Sequence, residues 1–157
     1  MRLTTKGRYA VTAMLDLAFK QDSGPVSLME ISERQDISLS YLEQLFALLR
    51  RRGVVVSARG PGGGYSLARE ARHISIADII NAVDEGYDVT ACNQSQHPCQ
   101  NGATCLSHNL WVELSQQIHD FFNGISLGDL MERRGIIEVA KRQDRLLQER
   151  KLATRAN

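Results

Sequence analysis

Three cysteines and one histidine crowd into a short polar stretch: Cys92, Cys99, Cys105 and His108, spaced C-x6-C-x5-C-x2-H. They are the only cysteines of the chain, and the residues between them are mostly Asn, Gln, Ser, Pro and Gly. Four soft or borderline donors in one loop are what a zinc ion or an iron–sulfur cluster requires. The plain alternative is three thiols scattered over a surface loop beside a chance histidine. It is the weaker reading, because cysteines outside an apolar core generally have chemistry to do. His97 lies inside the same loop and competes for the fourth place. Its backbone is restricted by Pro98, which ranks it behind His108, while His73 and His119 read as surface or packing residues. A CCCH zinc finger fits poorly. Such fingers leave three residues between the last cysteine and the histidine, whereas Leu106 and Ser107 alone stand there, and no aromatic side chain lies between Cys92 and His108 to stack a base.

The elements around this loop must position it. At 157 residues the chain forms one domain, or one domain with an appendage. No stretch resembles a membrane span and the N-terminus lacks the apolar run of a secretory signal, so a cytoplasmic protein with reduced thiols is expected, with no membrane partner. An odd cysteine count argues against a disulfide framework. Net charge is only +1, but residues 1–70 carry ten Lys/Arg against seven Asp/Glu, with Arg50-Arg51-Arg52 clustered and Arg59 close behind. One basic face on a near-neutral protein suits a nucleic-acid footprint.

Residues 5–21 place Tyr9, Ala10, Ala13, Met14, Leu17 and Ala18 on one helical stripe, ended by Gly24-Pro25. Ser27-Leu28-Met29-Glu30 is a capping box that opens a short helix, and Ser40-Tyr41-Leu42-Glu43 offers a second one. The helix after it buries Leu42, Leu45, Phe46 and Leu49 and ends at Gly53. A short helix, a tight turn and a second helix make a helix-turn-helix. Val54 to Arg59, the turn Gly60-Pro61-Gly62-Gly63-Gly64 and the return Tyr65-Ser66-Leu67 make a β-hairpin directly behind it, which is a wing. Ser75-Ile76-Ala77-Asp78 caps another helix.

The fold class is therefore mainly α with a small β-hairpin wing: a winged helix-turn-helix plus a long helix suited to dimerisation. Residues 1–85 form the DNA-binding domain and 86–108 the ligand loop. Residues 107–131 hold the long helix and a short one after it, and 132–157 form a charged, partly disordered tail. On the long helix, Leu110, Trp111, Leu114, Ile118, Phe121 and Phe122 form a stripe too apolar for a small monomer's surface. Burial against a second copy accounts for it, and ordinary intramolecular packing accounts for the remainder.

On the second helix of the helix-turn-helix, Tyr41, Glu43, Gln44, Ala47 and Arg51 form the exposed face, with Ser38 and Ser40 at its entry to meet phosphate. Gln44 can pair with adenine and Glu43 can accept from the cytosine amino group. Glu43 is also readable as the capping-box acid, and both roles remain open at this level. Arg59 stands at the base of the wing, and the glycines beyond it, Gly60 and Gly62 among them, let the backbone approach DNA. No Gly-Lys-Ser/Thr follows, so a nucleotide-binding loop is a poor alternative.

Three segments together resemble the Rrf2 family of bacterial transcription regulators: Met1-Arg2-Leu3-Thr4-Thr5-Lys6-Gly7-Arg8-Tyr9-Ala10-Val11, Ile37-Ser38-Leu39-Ser40-Tyr41-Leu42-Glu43-Gln44-Leu45, and Arg59-Gly60-Pro61-Gly62-Gly63-Gly64-Tyr65. The likeness covers residues 1–130 or so and leaves out the tail. It implies a non-enzymatic DNA-binding homodimer on a palindromic operator, with Arg2 among the DNA contacts. It also implies a [2Fe–2S] cluster on Cys92, Cys99, Cys105 and His108, and cluster donor proteins as suppliers. The stretch between Cys92 and Cys99 is one residue longer than in the iron–sulfur members. Nitric-oxide-sensing members are the alternative within the family. They lack a histidine just after the third cysteine and use an acidic residue near position 8, where this chain has Arg8. An electron-transfer iron–sulfur protein is the alternative outside it.

Overall fold

The computed structural model describes residues 5–83 and 105–155. Of the residues singled out above, Arg2, Cys92, His97 and Cys99 lie outside that range. Helix α1 (Thr5–Lys20) leads through a 3-10 turn into α2 (Leu28–Gln35) and α3 (Leu39–Arg51). Strands β1 (Val55–Ala58) and β2 (Gly64–Leu67) follow, then α4 (Ile76–Val83). Beyond the ligand loop come α5 (His108–Asn123), α6 (Leu127–Met131) and α7 (Arg134–Arg155). Apart from α7, the described elements are those the sequence predicts, mainly helices with one antiparallel hairpin among the described residues.

The helix starts follow serine chemistry. Ser27 accepts the Glu30 amide while Glu30 reaches back to Ser27. Ser75 and Asp78 do the same at α4, with both bonds at 3.0 Å, and Ser126 and Asp129 repeat it at α6. Each pair satisfies backbone donors that a helix leaves open at its first turn. At α3 the prediction fails. The cap is Ser38, whose hydroxyl takes the Tyr41 amide at 3.4 Å, and Ser40 already lies within the helix. The helix begins earlier because Asp36 turns left-handed at φ 54° and its amide closes α2 on the Ser32 carbonyl. That leaves Ser38 in the extended conformation a cap needs.

The core sits where α1, α3 and α4 meet, around Met14, Leu17, Phe46, Leu49, Ile79 and Ile80, all at most 1% exposed. Phe46 packs edge-on against Tyr65 of β2 at 4.9 Å, which ties the wing to the recognition helix. The hairpin pairs Val55 with Leu67 through Ala58 with Gly64. A bridge from Val26 to Tyr65 anchors β2 to the chain entering α2.

Two side-chain placements depart from the sequence reading. Tyr9 is not on the buried stripe of α1: it is 39% exposed and stands edge-on to Tyr41 at 5.8 Å. Asp16, by contrast, is buried, held by a two-pronged bond from Arg34 and another from Gln35. Residues 134–155, expected as a partly disordered tail, form one helix. Ile136, Ile137, Ala140, Gln143, Asp144 and Leu147 make a half-buried stripe at helical spacing. Polar contacts then fasten it: Gln143 to Gln35, Asp144 to Lys20 and Lys151 to Glu33. Its many charges face solvent, which is why composition alone reads as a tail.

Candidate functional site

The surface expected to read DNA is assembled by the α2–turn–α3 unit. Ser32 donates to the Ile37 carbonyl at 2.6 Å, which pins the turn from inside. Helix α3 then buries Leu42, Leu45, Phe46 and Leu49, and this fixes its rotation. Glu43, Gln44 and Arg51 fall on the exposed side with Ser38 and Ser40, while Tyr41 and Ala47 are half-buried. Because Ser38 is the cap, the Glu43 carboxylate is not needed by the helix, and it makes no hydrogen bond among the described residues. The sequence left two roles open for Glu43, and the capping role is removed.

The wing stands beside this face. Arg50, near the end of α3, donates to Ser57 of β1 at 3.5 Å. The wing turn carries exposed Arg59, Gly60 and Gly62, with Gly60 and Gly62 at φ 96° and 73°. Only glycine takes such angles without strain, so the turn stays tight and its backbone accessible. Sequence reasoning gave no role to Arg50, which joins helix to wing, although its place in the Arg50-Arg51-Arg52 run was a signal. It put Tyr9, which braces Tyr41, on the buried stripe, because the helical period carries that position to the stripe's edge.

The second site is the head of α5. Cys105 and His108 stand one helical turn apart, with the His108 amide donating to the Cys105 carbonyl at 3.1 Å, and both are half-buried. Residues three apart on a helical turn share one side, so a thiolate and an imidazole are offered together. Ser107, between them, lies 3.7 Å from the Cys105 sulfur and accepts from the Trp111 indole at 3.1 Å. Among the described residues no cluster of three or more His, Cys, Asp or Glu side chains is assembled. The donor set there suits zinc or iron; Cys92 and Cys99, the other ligands expected from the sequence, lie outside the described residues.

A family model for iron-dependent transcriptional regulators, Rrf2, matches residues 3–133. The chain belongs to the Rrf2 family. It is 56% identical to the HTH-type transcriptional regulator IscR of Pectobacterium carotovorum over 144 residues, 92% of this chain and 87% of that one. To IscR of Photobacterium profundum it is 54% identical over 154 residues, 98% of this chain and 89% of the relative. Among solved structures, IscR of T. potens superposes with a TM-score of 0.69 at 38% identity, covering 84% of this chain and 87% of the other. CymR, the global cysteine regulator of B. subtilis, superposes at 0.70 with 33% identity over 83% and 96%. This Rrf2 protein is thus a DNA-binding transcriptional regulator, and its relatives are regulators rather than enzymes.

In this Rrf2 regulator the stripe of α5 divides. Leu114, Ile118 and Phe122 are half-buried, and Phe122 and Ile125 pack on the core. Leu110 and Phe121 are 59% and 61% exposed, and Trp111 is 38% exposed. A cleft of about 310 Å³, lined by Arg8, Val11, Ile80, Phe121, Leu130 and Arg133 among others, opens beside Phe121. No described helix is long and apolar enough to cross a membrane.

Proposed function

We propose that this regulator senses the supply of iron–sulfur clusters and changes its operator choice accordingly. Cys92, Cys99, Cys105 and His108 hold a [2Fe–2S] cluster in the segment 86–108, between the DNA-binding head (1–85) and the pairing segment (107–131). The observation that carries this reading is the Cys105–His108 pair on one turn at the head of α5, the helix whose outer face is left apolar. When bound, a cluster with three thiolates and one neutral imidazole carries less negative charge than an all-thiolate one and has a higher reduction potential. The imidazole, a neutral donor among thiolates, is also its more exchangeable corner.

The chain's own residues do the rest. Leu110, Trp111 and Phe121 pair α5 with its twin in a homodimer, adding to Leu114, Ile118 and Phe122, which already pack inward. A two-fold pair sets its recognition helices about 34 Å apart, matching a palindromic operator. Ser38, Ser40, Tyr41 and Arg51, with Arg2, hold phosphate. Gln44 reads adenine, and Arg59 enters the minor groove with Gly60 and Gly62 close to the backbone. Glu43 accepts from cytosine and penalises operators that put another base there, because its carboxylate is then unpaired among phosphates.

Ligation orders the loop at the head of α5 and thereby biases how the two heads are held. The cluster-loaded form represses genes for cluster assembly, and the cluster-free form binds a second operator class. Cluster donor proteins in the cytoplasm supply it.

Anaerobic purification and a visible spectrum test the cofactor: coloured, iron-containing protein is expected, and colourless protein without iron under every reconstitution refutes it. A zinc-loaded colourless protein would leave a constitutive repressor. Gel shifts of wild type and Cys92→Ala on both operator classes test the coupling, and identical preferences refute it.

A further inference from the structure

Among the described residues five helix starts carry a serine, and one behaves differently. Ser27, Ser38, Ser75 and Ser126 each accept a backbone amide of their helix. Ser107 precedes α5 in the same position but makes no such bond, and its backbone lies at φ −99°, ψ 6°. A serine cap contributes about 1 kcal/mol to a helix, and α5 forgoes it. The hydroxyl is turned elsewhere: its oxygen accepts from the Trp111 indole at 3.1 Å and lies 3.7 Å from the Cys105 sulfur.

The direction of these bonds follows from their chemistry. The indole N–H can only donate, so it occupies an acceptor lone pair of Ser107. The hydroxyl proton remains, and a ligating Cys105 thiolate can only accept. We infer that Ser107 is a positioning residue for the Cys105 ligand: held by Trp111, it donates to the cysteine sulfur and raises the reduction potential of the cluster. The inference rests on the cluster reading above and adds a residue to it. Hydrogen bonds to cluster sulfurs favour the reduced, more negative state. Removing this donor therefore lowers the potential. Trp111 thereby serves two surfaces, its ring edge orienting Ser107 while its exposed part lies on the pairing face.

The test uses the full chain, reconstituted anaerobically, as wild type, Ser107→Ala, Ser107→Thr and Trp111→Phe. Iron content and visible spectrum establish loading, and a redox titration followed by absorbance gives the midpoint potential. Ser107→Ala is expected to load fully and to shift the reduction equilibrium about tenfold toward the oxidised form, ~59 mV for a one-electron couple. Ser107→Thr, which keeps the hydroxyl, restores the wild-type value. Trp111→Phe, which keeps Ser107 but frees its orientation, shifts the potential in the same direction by less. Melting of the cluster-free protein is a second readout: Ser107→Ala is expected to leave it unchanged, because no cap is lost.

A loaded Ser107→Ala protein with the wild-type potential overturns the inference. So does a cluster-free Ser107→Ala protein destabilised as by a missing cap. If Ser107→Ala loads poorly, Trp111→Phe decides, and an unchanged potential there overturns it. Wild-type protein that takes up no iron sinks the sensing reading itself, which separates the two failures.

Discussion

Replacing Glu43 with alanine separates the two jobs its position allows. Were it a capping acid, its loss would cost α3 part of a capping box. In the structure Ser38 does the capping and Glu43 is exposed on the reading face. Glu43→Ala should therefore change the stability of the folded protein by less than ~0.5 kcal/mol, as exposed substitutions away from special features do. Ser38→Ala is the internal control. Its bond to the Tyr41 amide is long, at 3.4 Å, so the cost should fall at the lower end of the range for a lost cap, about 0.5–1 kcal/mol. For a chain of this size that is a drop of roughly 1–4 °C in melting temperature. The DNA effect runs the other way round. Glu43→Ala should relax discrimination at one base pair by about 1–3 kcal/mol, roughly 5- to 150-fold in relative Kd, without weakening every operator alike. Thermal unfolding and gel shifts on operators that differ at that base pair check both halves. A Glu43→Ala protein destabilised as much as Ser38→Ala, or one that ranks operators as wild type does, refutes the reasoning.

Asp16→Ala leaves the Arg34 guanidinium, 8% exposed, without its buried partner. A loss of about 3–5 kcal/mol in urea unfolding is expected, and a loss below ~1 kcal/mol would show that water compensates Arg34. Phe121→Asp on the outer face of α5 should give a folded monomer in size-exclusion chromatography with weakened binding to a palindrome, and an unchanged dimer would place the pairing surface elsewhere. Gly64→Ala puts a methyl group against the Val26 carbonyl. It should break the Val26–Tyr65 bridge and lower affinity for all operators alike in a filter-binding assay. For pH, the hydrogen bond from the Ser27 backbone amide holds the Glu30 carboxylate below its ordinary range; burial opposes it, and the Ser27 side chain adds a lesser bond in the same direction as the amide. A folded-state pKa that is depressed gives stability above the unfolded value, lost as pH falls through the folded one. Glu30→Gln should therefore lower the melting temperature at neutral pH, where the charged carboxylate contributes, and flatten the acid limb of the profile below about pH 4.5, where the two proteins converge.

Much of this fold was legible because its signals are local. The reciprocal pairs at Ser27–Glu30 and Ser75–Asp78 need only spacing to be seen, and they open α2 and α4 as read. The α3 cap was misplaced by two residues because Ser38 and Ser40 offer the same chemistry. What chose between them was the left-handed Asp36, which no spacing rule encodes. The order of α7 was illegible for a different reason. Its apolar stripe is thin, and it is fastened by side chains more than a hundred positions away, Gln35 and Lys20 among them. At the ligand site the residue types were plain from the outset. The role of Ser107 was not, since a serine before a helix reads as a cap until its hydroxyl is seen turned toward sulfur and indole.

On the cluster-sensing proposal, these placements also restrict how a signal at the head of α5 would reach DNA. The far end of α5 is fixed: Ile125 accepts the Ile76 amide at 2.9 Å, and the Leu127 amide donates to Ile74 at 2.7 Å. Leu127 itself is wholly buried. Helix α4 is thus clamped to the α5–α6 corner, and α4 packs on α1 and α3 in the core. A change in the tilt of α5 about that clamp moves the pairing face relative to the recognition helix, while the spacing of Glu43, Gln44 and Arg59 within one head stays as it is. Coupling in this protein should therefore act through the distance and angle between two heads rather than through rearrangement inside one. Operators whose half-sites are moved apart by one base pair should respond to cluster loss differently from operators changed at the base that Glu43 reads. Equal responses to both changes would mean that the head itself deforms.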